Sequence, residues 1–112
     1  MRGEVPFEGA NYSGQQVETE AIADMGGMKC LLAIAAQKEG FDYDAFFRQY
    51  ATFWRMQGSY PCLVTLVAQD THPMCYLRIN ATLAQFDDFV DFYDIQPSDG
   101  MYLAPEARVA VW

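Results

Sequence analysis

Apolar residues recur at helical spacing along most of this chain. From about Thr19, the residues Ile22, Met25, Leu32 and Ala35 fall on one face of a 3.6-residue period. Thr19 is placed as the N-cap, Glu20 lies in the first turn, and Gly40 is placed to stop the helix. Gly26-Gly27 inside this helix costs about 2 kcal/mol in propensity relative to alanines. The pattern therefore predicts close backbone packing there against something else. A second helix is predicted from Asp42 to about Gln57, with Phe46, Phe47, Tyr50, Phe53 and Trp54 as a broad aromatic face expected to be core. Gly58-Ser59-Tyr60-Pro61 reads as a turn, with Pro61 in the first turn of a third helix through Ala68. Val64, Thr65 and Val67 keep a short strand open as the other reading there. Residues 74–81 show no clear pattern. Thr82-Leu83-Ala84-Gln85 matches a capping box opening a fourth helix through about Tyr93, with Asp87, Asp88 and Asp91 on its solvated face. Pro97 to Gly100 reads as a turn, and residues 1–16, rich in Gly, Pro, Asn and Ser, as an extended N-terminal segment before a body spanning 17–112. The expected class is mainly α, with about four helices.

Composition narrows the function classes. Apolar residues make up 52% of the 112 positions and aromatics 15%, which is enough for a core in one domain or a piece of one. The net charge of −8, with Lys29 and Lys38 the only lysines, argues against nucleic-acid and anionic-membrane partners. The apolar run Cys30 to Ala36 is too short to span a bilayer, and Met1-Arg2-Gly3-Glu4 opens no signal peptide. Cys30, Cys62 and Cys75 are odd in number and lack C-x-x-C spacing, so buried free thiols in a reducing, cytoplasmic setting are expected.

Glu20 and Asp24 stand one helical turn apart on a common face. One carboxylate in such a pair can bind a metal while the other orients a neighbouring ligand. A zinc enzyme needs three protein ligands, usually including two His. This chain has a single histidine, His72, and no His-Glu-x-x-His. It carries part of an active site. Read without context, Glu20 and Asp24 are ordinary surface charge, Asp70-His72 a satisfied structural pair, and Arg78 a solvated or ion-paired residue.

The order and spacing of these motifs give them more weight. Glu20-Ala21-Ile22-Ala23-Asp24 followed by Gly26-Gly27, then Tyr50-x-x-x-Trp54, then Asp70-Thr71-His72-Pro73 with Arg78 six residues after the histidine, resemble the C-terminal part of the neprilysin family of zinc metallopeptidases. The ending Gly100-Met101-Tyr102-Leu103-Ala104-Pro105-Glu106, with Arg108-Val109 and Trp112, is most similar to the bacterial endopeptidase O type. The resemblance implies the helical C-terminal part of a thermolysin-like (gluzincin) catalytic domain. It implies Glu20 as third zinc ligand, joining two histidines of an upstream His-Glu-x-x-His helix, and Asp24 as the acceptor that fixes a ligand histidine. It further implies that His72 stabilises the oxyanion with Asp70 holding its ring, and that Arg78 binds a peptide carbonyl. Zinc would be the cofactor in full-length members, and this chain alone would hold none tightly.

The departures count as well. Ala21 replaces the family's Asn, the Pro after the histidine is shifted by one, Tyr50 stands at the family's Phe, and Arg55 and Val109 stand where animal enzymes have disulfide cysteines. The expected function is thus a C-terminal fragment of a peptide-cleaving zinc metalloendopeptidase, inactive without its His-Glu-x-x-His part. The alternative is a non-catalytic interaction domain that self-associates or joins a complementary chain. A Cys62 or Cys75 nucleophile acting with His72 has no local signature behind it.

Overall fold

The computed structural model describes residues 14–110. As expected, it is mainly helical, and among the described residues there is no strand. Helix α1 runs Gly14–Ala35, α2 Tyr43–Trp54, α3 Tyr60–Gln69, α4 Cys75–Leu83 and α5 Asp87–Phe92, followed by a 3-10 turn, Pro105–Ala107.

Helix α1 begins at Gly14, not at Thr19. Residues 14–16 of the segment expected to be extended are therefore helical, and Thr19 is an interior residue. The rest of that segment, 1–13, lies outside the described residues. The helical residues ahead of Thr19 make a tertiary contact: Gln16 Nε2 donates to the carbonyls of Val67 (3.1 Å) and Asp70 (2.7 Å). One side chain of α1 thus satisfies orphan carbonyls at the end of α3. The buried face is Val17, Met28, Leu32 and Ala35, while Ile22, expected inside, is 41% exposed. Of the pair expected to pack closely, Gly26 is buried, whereas a Cβ on Gly27 would meet nothing within 4 Å among the described residues. The helix ends at Ala35, and Gly40, at φ +69°, turns the chain toward α2 instead of capping α1 directly.

Helix α2 starts as predicted. Asp42 accepts the Ala45 N–H at 2.9 Å, satisfying one free donor of the first turn. It stops at Trp54, short of Gln57, where Arg55 turns extended. Phe47 is the centre of an aromatic cluster, edge-on to Phe89 at 5.3 Å and Phe46 at 5.4 Å, with Tyr93 at 5.9 Å. The aromatic face is not all core: Phe53 is 71% exposed. Asp44 accepts from the Tyr93 hydroxyl (2.7 Å) and pairs with Arg48, and these two donors hold its carboxyl below the usual range.

Between 60 and 69 the chain is helix, with Pro61 in the first turn, so the strand reading is excluded. The stretch 74–81 that showed no pattern forms α4, and the predicted fourth helix from Thr82 to Tyr93 is in fact two elements. Thr82 does not open a helix. It is buried in the last turn of α4, and Gln85 donates back to the Ala81 carbonyl at 3.0 Å while accepting the Val109 N–H at 2.8 Å. The capping-box residues instead close one helix and hold the C-terminal tail. Arg108 adds a second hold through Asp87 and the Leu103 carbonyl. Asp87, Asp88 and Asp91 are exposed as expected, the first two in the first turn of α5, where the helix dipole favours them. The chain turns after Gln96, whose N–H is accepted by Asp99 at 2.7 Å.

Helix α4 joins two apolar clusters. Met28, Leu32, Phe47, Leu83, Phe89 and Val90 form one; Val17, Val67, Met74 and Leu77 form the other. The thiols correct the sequence reading: all three are free, but Cys30 and Cys62 are exposed and Cys75 is half-buried. Among the described residues no helix is long and apolar enough to cross a membrane.

Candidate functional site

Gln16, Glu20 and Asp24 succeed one another at four-residue spacing along α1, about 6 Å of helix rise between neighbours. Because Gln16 is tied to the end of α3, this face of α1 meets the 70–74 connection, and Glu20 arrives beside His72.

Asp70 ends α3 and folds the connection back on itself. It accepts the His72 backbone N–H at 2.9 Å, and the same oxygen stands 2.9 Å from His72 Nδ1. Short Asp side chains stabilise turns this way, by bonding backbone two residues on. The backbone N–H of His72, followed by its ring, holds the Asp70 carboxyl below the ordinary range against the opposing effect of burial. With Nδ1 engaged, Nε2 is the free end of the ring, and it lies 3.7 Å from Glu20 Oε2. That is too long for a hydrogen bond but close enough for both groups to address one small ligand. The His72 and Glu20 side chains are 50% and 39% exposed, so both are accessible.

Arg78, on α4, reaches back to α1. Its Nε donates to Asp24 Oδ2 at 2.8 Å and its Nη2 to Asp24 Oδ1 at 2.6 Å, a bidentate pair. The side chains are only 14% and 12% exposed. This pairing, more than burial opposes it, raises the Arg78 guanidinium above its ordinary value. Asp24 uses two of its roughly four lone-pair sites here, which leaves capacity for a further donor. The Trp54 ring lies under the guanidinium, 3.6 Å from Cζ to the ring centroid, and the Tyr50 hydroxyl donates to the Arg78 carbonyl at 2.8 Å.

All five sequence-predicted residues thus come together on one side of α1, as two linked groups: Glu20, His72 and Asp70 in one, Asp24 and Arg78 in the other. A cleft of about 440 Å³ opens beside them, lined by Ala21, Met25, Pro73, Tyr76 and Met101 among others. Arg78 lines it, whereas Glu20, Asp24, Asp70 and His72 do not. Sequence reading missed Gln16, and it noted Tyr50 and Trp54 only as a family motif on a helix face expected to be core, with no role at the site. The i, i+4, i+8 series Gln16, Glu20, Asp24 is a signal that finds the first.

Burial, with the Asp24 carboxylate nearby, pushes the Tyr50 phenol up to about 12, against the pull of Arg78 and hydrogen bonds from Thr82 and Trp54. The folded state therefore holds this proton more tightly than the unfolded chain, whose tyrosines titrate near 10. Its contribution to stability is complete below about pH 10 and is lost as pH rises through about 12. Tyr50→Phe accordingly costs about 1 kcal/mol near neutral pH. The same variant flattens the alkaline decline by about 2 kcal/mol, as urea midpoints compared across that range will report.

A family profile described as "Peptidase family M13" matches residues 3–109. The neutral endopeptidase of Lactococcus lactis subsp. cremoris is 35% identical over 108 residues, 96% of this chain and 17% of that protein. Its counterpart from Lactococcus lactis subsp. lactis strain IL1403 is 34% identical over the same length and shares. The neutral endopeptidase of Lactobacillus helveticus is 33% identical over 111 residues, 95% of this chain and 17% of that protein. The chain thus spans about a sixth of the length of the curated relatives it matches. No solved structure matches it at a significant level. A helical chain in which the Glu-x-x-x-Asp helix, the Asp-x-His turn and the arginine converge fits the helical C-terminal part of a gluzincin domain. The chain belongs to peptidase family M13, the neprilysin-type metallopeptidases.

Proposed function

We propose that this chain is the part of a zinc metalloendopeptidase that supplies the third metal ligand and the groups that stabilise the transition state, and that alone it cleaves no peptide. The observation that carries this reading is the approach of Glu20 Oε2 to His72 Nε2, 3.7 Å apart on elements that only the fold brings together.

The residues fit one share of a zinc centre. Glu20 offers an accessible carboxylate, yet among the described residues no group of three or more His, Cys, Asp or Glu could hold a metal ion. Two further ligands, the histidines of a His-Glu-x-x-His helix, would come from outside this chain. Bound there, zinc supplies an activated water and polarises the scissile carbonyl. The chain's own residues do the rest. In its imidazolium form, with an N–H on both nitrogens, His72 donates from Nε2 to the oxygen that gains charge while Asp70 fixes the ring through Nδ1. Arg78 donates from its unpaired edge to a peptide carbonyl. Asp24 holds Arg78 and retains capacity to accept from a ligand histidine. The relatives' designation as neutral endopeptidases supports oligopeptides as substrates, and free, accessible thiols fit a reducing, cytoplasmic setting.

The expected partner is the part of the enzyme bearing His-Glu-x-x-His. Helix α1 supports this, because apolar side chains are exposed outside its buried stripe as well: Ile22, Leu31 and Ile34 are 41%, 47% and 54% exposed, and Leu31 and Ile34, three residues apart, share a side. Self-association through Leu31 and Ile34 is the second reading, and it predicts a dimer in sedimentation.

The test mixes the chain with a Lactococcus neutral endopeptidase shortened by the matching C-terminal segment. Zinc-dependent peptide cleavage returns on mixing, is absent from either part alone, and falls at least about a hundredfold with Glu20→Gln. Cleavage that survives Glu20→Gln, or cleavage by the chain alone, overturns the reading.

A further inference from the structure

The site's arginine is also held by α2. Tyr50 and Trp54 lie four residues apart on α2 and therefore on one face of it. Both reach the same residue of α4. The Tyr50 hydroxyl donates to the Arg78 carbonyl at 2.8 Å, and the Trp54 ring supports the Arg78 guanidinium from beneath at 3.6 Å. On the third side, Asp24 takes Nε and Nη2.

A guanidinium carries five N–H donors in one plane. Asp24 engages two, and Trp54 covers one face, where a π-system attracts a cation. What remains is an edge made of both Nη1 hydrogens and one on Nη2. Asp24 alone fixes the plane's axis but leaves the long arginine stem free to tilt. Trp54 removes that tilt. Tyr50 acts one step further back, holding the α4 backbone at the residue from which the stem departs.

Resting on the reading of Arg78 as the carbonyl-binding group, we propose that Tyr50 and Trp54 are positioning residues that fix the Arg78 guanidinium, so that its unpaired edge meets a substrate carbonyl already oriented. Pre-orientation of this kind matters because displacing a binding group by about 1 Å can cost on the order of a hundredfold in rate.

The direct test needs neither zinc nor substrate. Nitrogen-15 relaxation of the Arg78 Nε–Hε group in this chain gives its order parameter. In the unmodified chain it lies near the rigid value of about 0.85 and falls below about 0.6 in Trp54→Leu, with Trp54→Phe restoring most of it. Tyr50→Phe lowers it by less. Rescue by phenylalanine separates support by a π-face from mere apolar filling. Should Trp54→Leu fail to fold, judged by loss of helical circular dichroism, Trp54→Met keeps the bulk without the ring and carries the same expectation. An order parameter unchanged in a folded Trp54→Leu or Trp54→Met variant overturns the proposal. Because the measurement is made on the chain alone, failure of the mixing experiment leaves it intact, and an unchanged order parameter leaves the peptidase reading standing.

Discussion

Asp24→Ala lowers the free energy of unfolding by about 3–5 kcal/mol in urea melts followed by circular dichroism. The size follows from where the Asp24–Arg78 pair sits. An exposed ion pair contributes about 0–1 kcal/mol, since water screens it and both side chains lose freedom. At 12% and 14% exposure, Asp24 and Arg78 are on the other side of that divide. Removing the carboxylate leaves a guanidinium largely out of water, with two donors at 2.6 and 2.8 Å suddenly unmatched. Arg78→Met strands the Asp24 carboxylate in the same way. Asp24→Leu combined with Arg78→Met leaves no stranded charge and recovers most of the loss. A double variant as unstable as the weaker single variant would show that the pair's neighbours, not its charges, set the cost.

Phe47→Ala is expected to cost a similar amount, about 3–5 kcal/mol, by a different route. Phe47 is 2% exposed and packs against the rings of Tyr43 and Phe46 from α2, of Phe89 and Phe92 from α5, and of Tyr93 just after it. Truncation removes its buried area and opens a cavity that rigid rings cannot collapse to fill. Phe47→Leu, which keeps much of the volume, costs nearer about 1.5 kcal/mol. Phe47→Ala lowers the urea midpoint by more than Phe47→Leu does, as urea melts followed by circular dichroism will report.

What could be read in the sequence was what the chain decides locally. Helix α2 was legible because Asp42 caps it through its own neighbour Ala45, and α3 because Pro61 fits a first turn. Helix α4 was not, because Met74 makes no side-chain cap and polar Arg78 breaks the apolar pattern at the position where Asp24, 54 residues away, accepts it. Thr82-x-x-Gln85 has the letters of a capping box, but the burial of Thr82 and the claim of Val109 on Gln85 are decided by packing. The helix ahead of Thr19 is held through Gln16, whose carbonyl partners lie 51 and 54 positions on, beyond any local window of sequence.

The site divides along the same line. Glu20, Asp24, Asp70, His72 and Arg78 were legible through the order and spacing of short motifs. Which of them touch was not, and neither was the part of α2. Tyr50 and Trp54 have the periodicity of core aromatics and stood out only as a short motif, and the position of the Arg78 guanidinium is what ties them to the site. The exposed thiols failed for a related reason. Cys30 lies on an α1 face whose neighbours are apolar, so composition alone places it inside.

Helix α4 belongs to both apolar clusters, with Leu77 in one and Leu83 in the other, and Arg78 stands between them. Neither half of the molecule can therefore loosen by itself without dragging on the segment that bears the guanidinium. Amide protons of that segment exchange with solvent only through openings close to complete unfolding, so the reactive geometry is lost last and all at once.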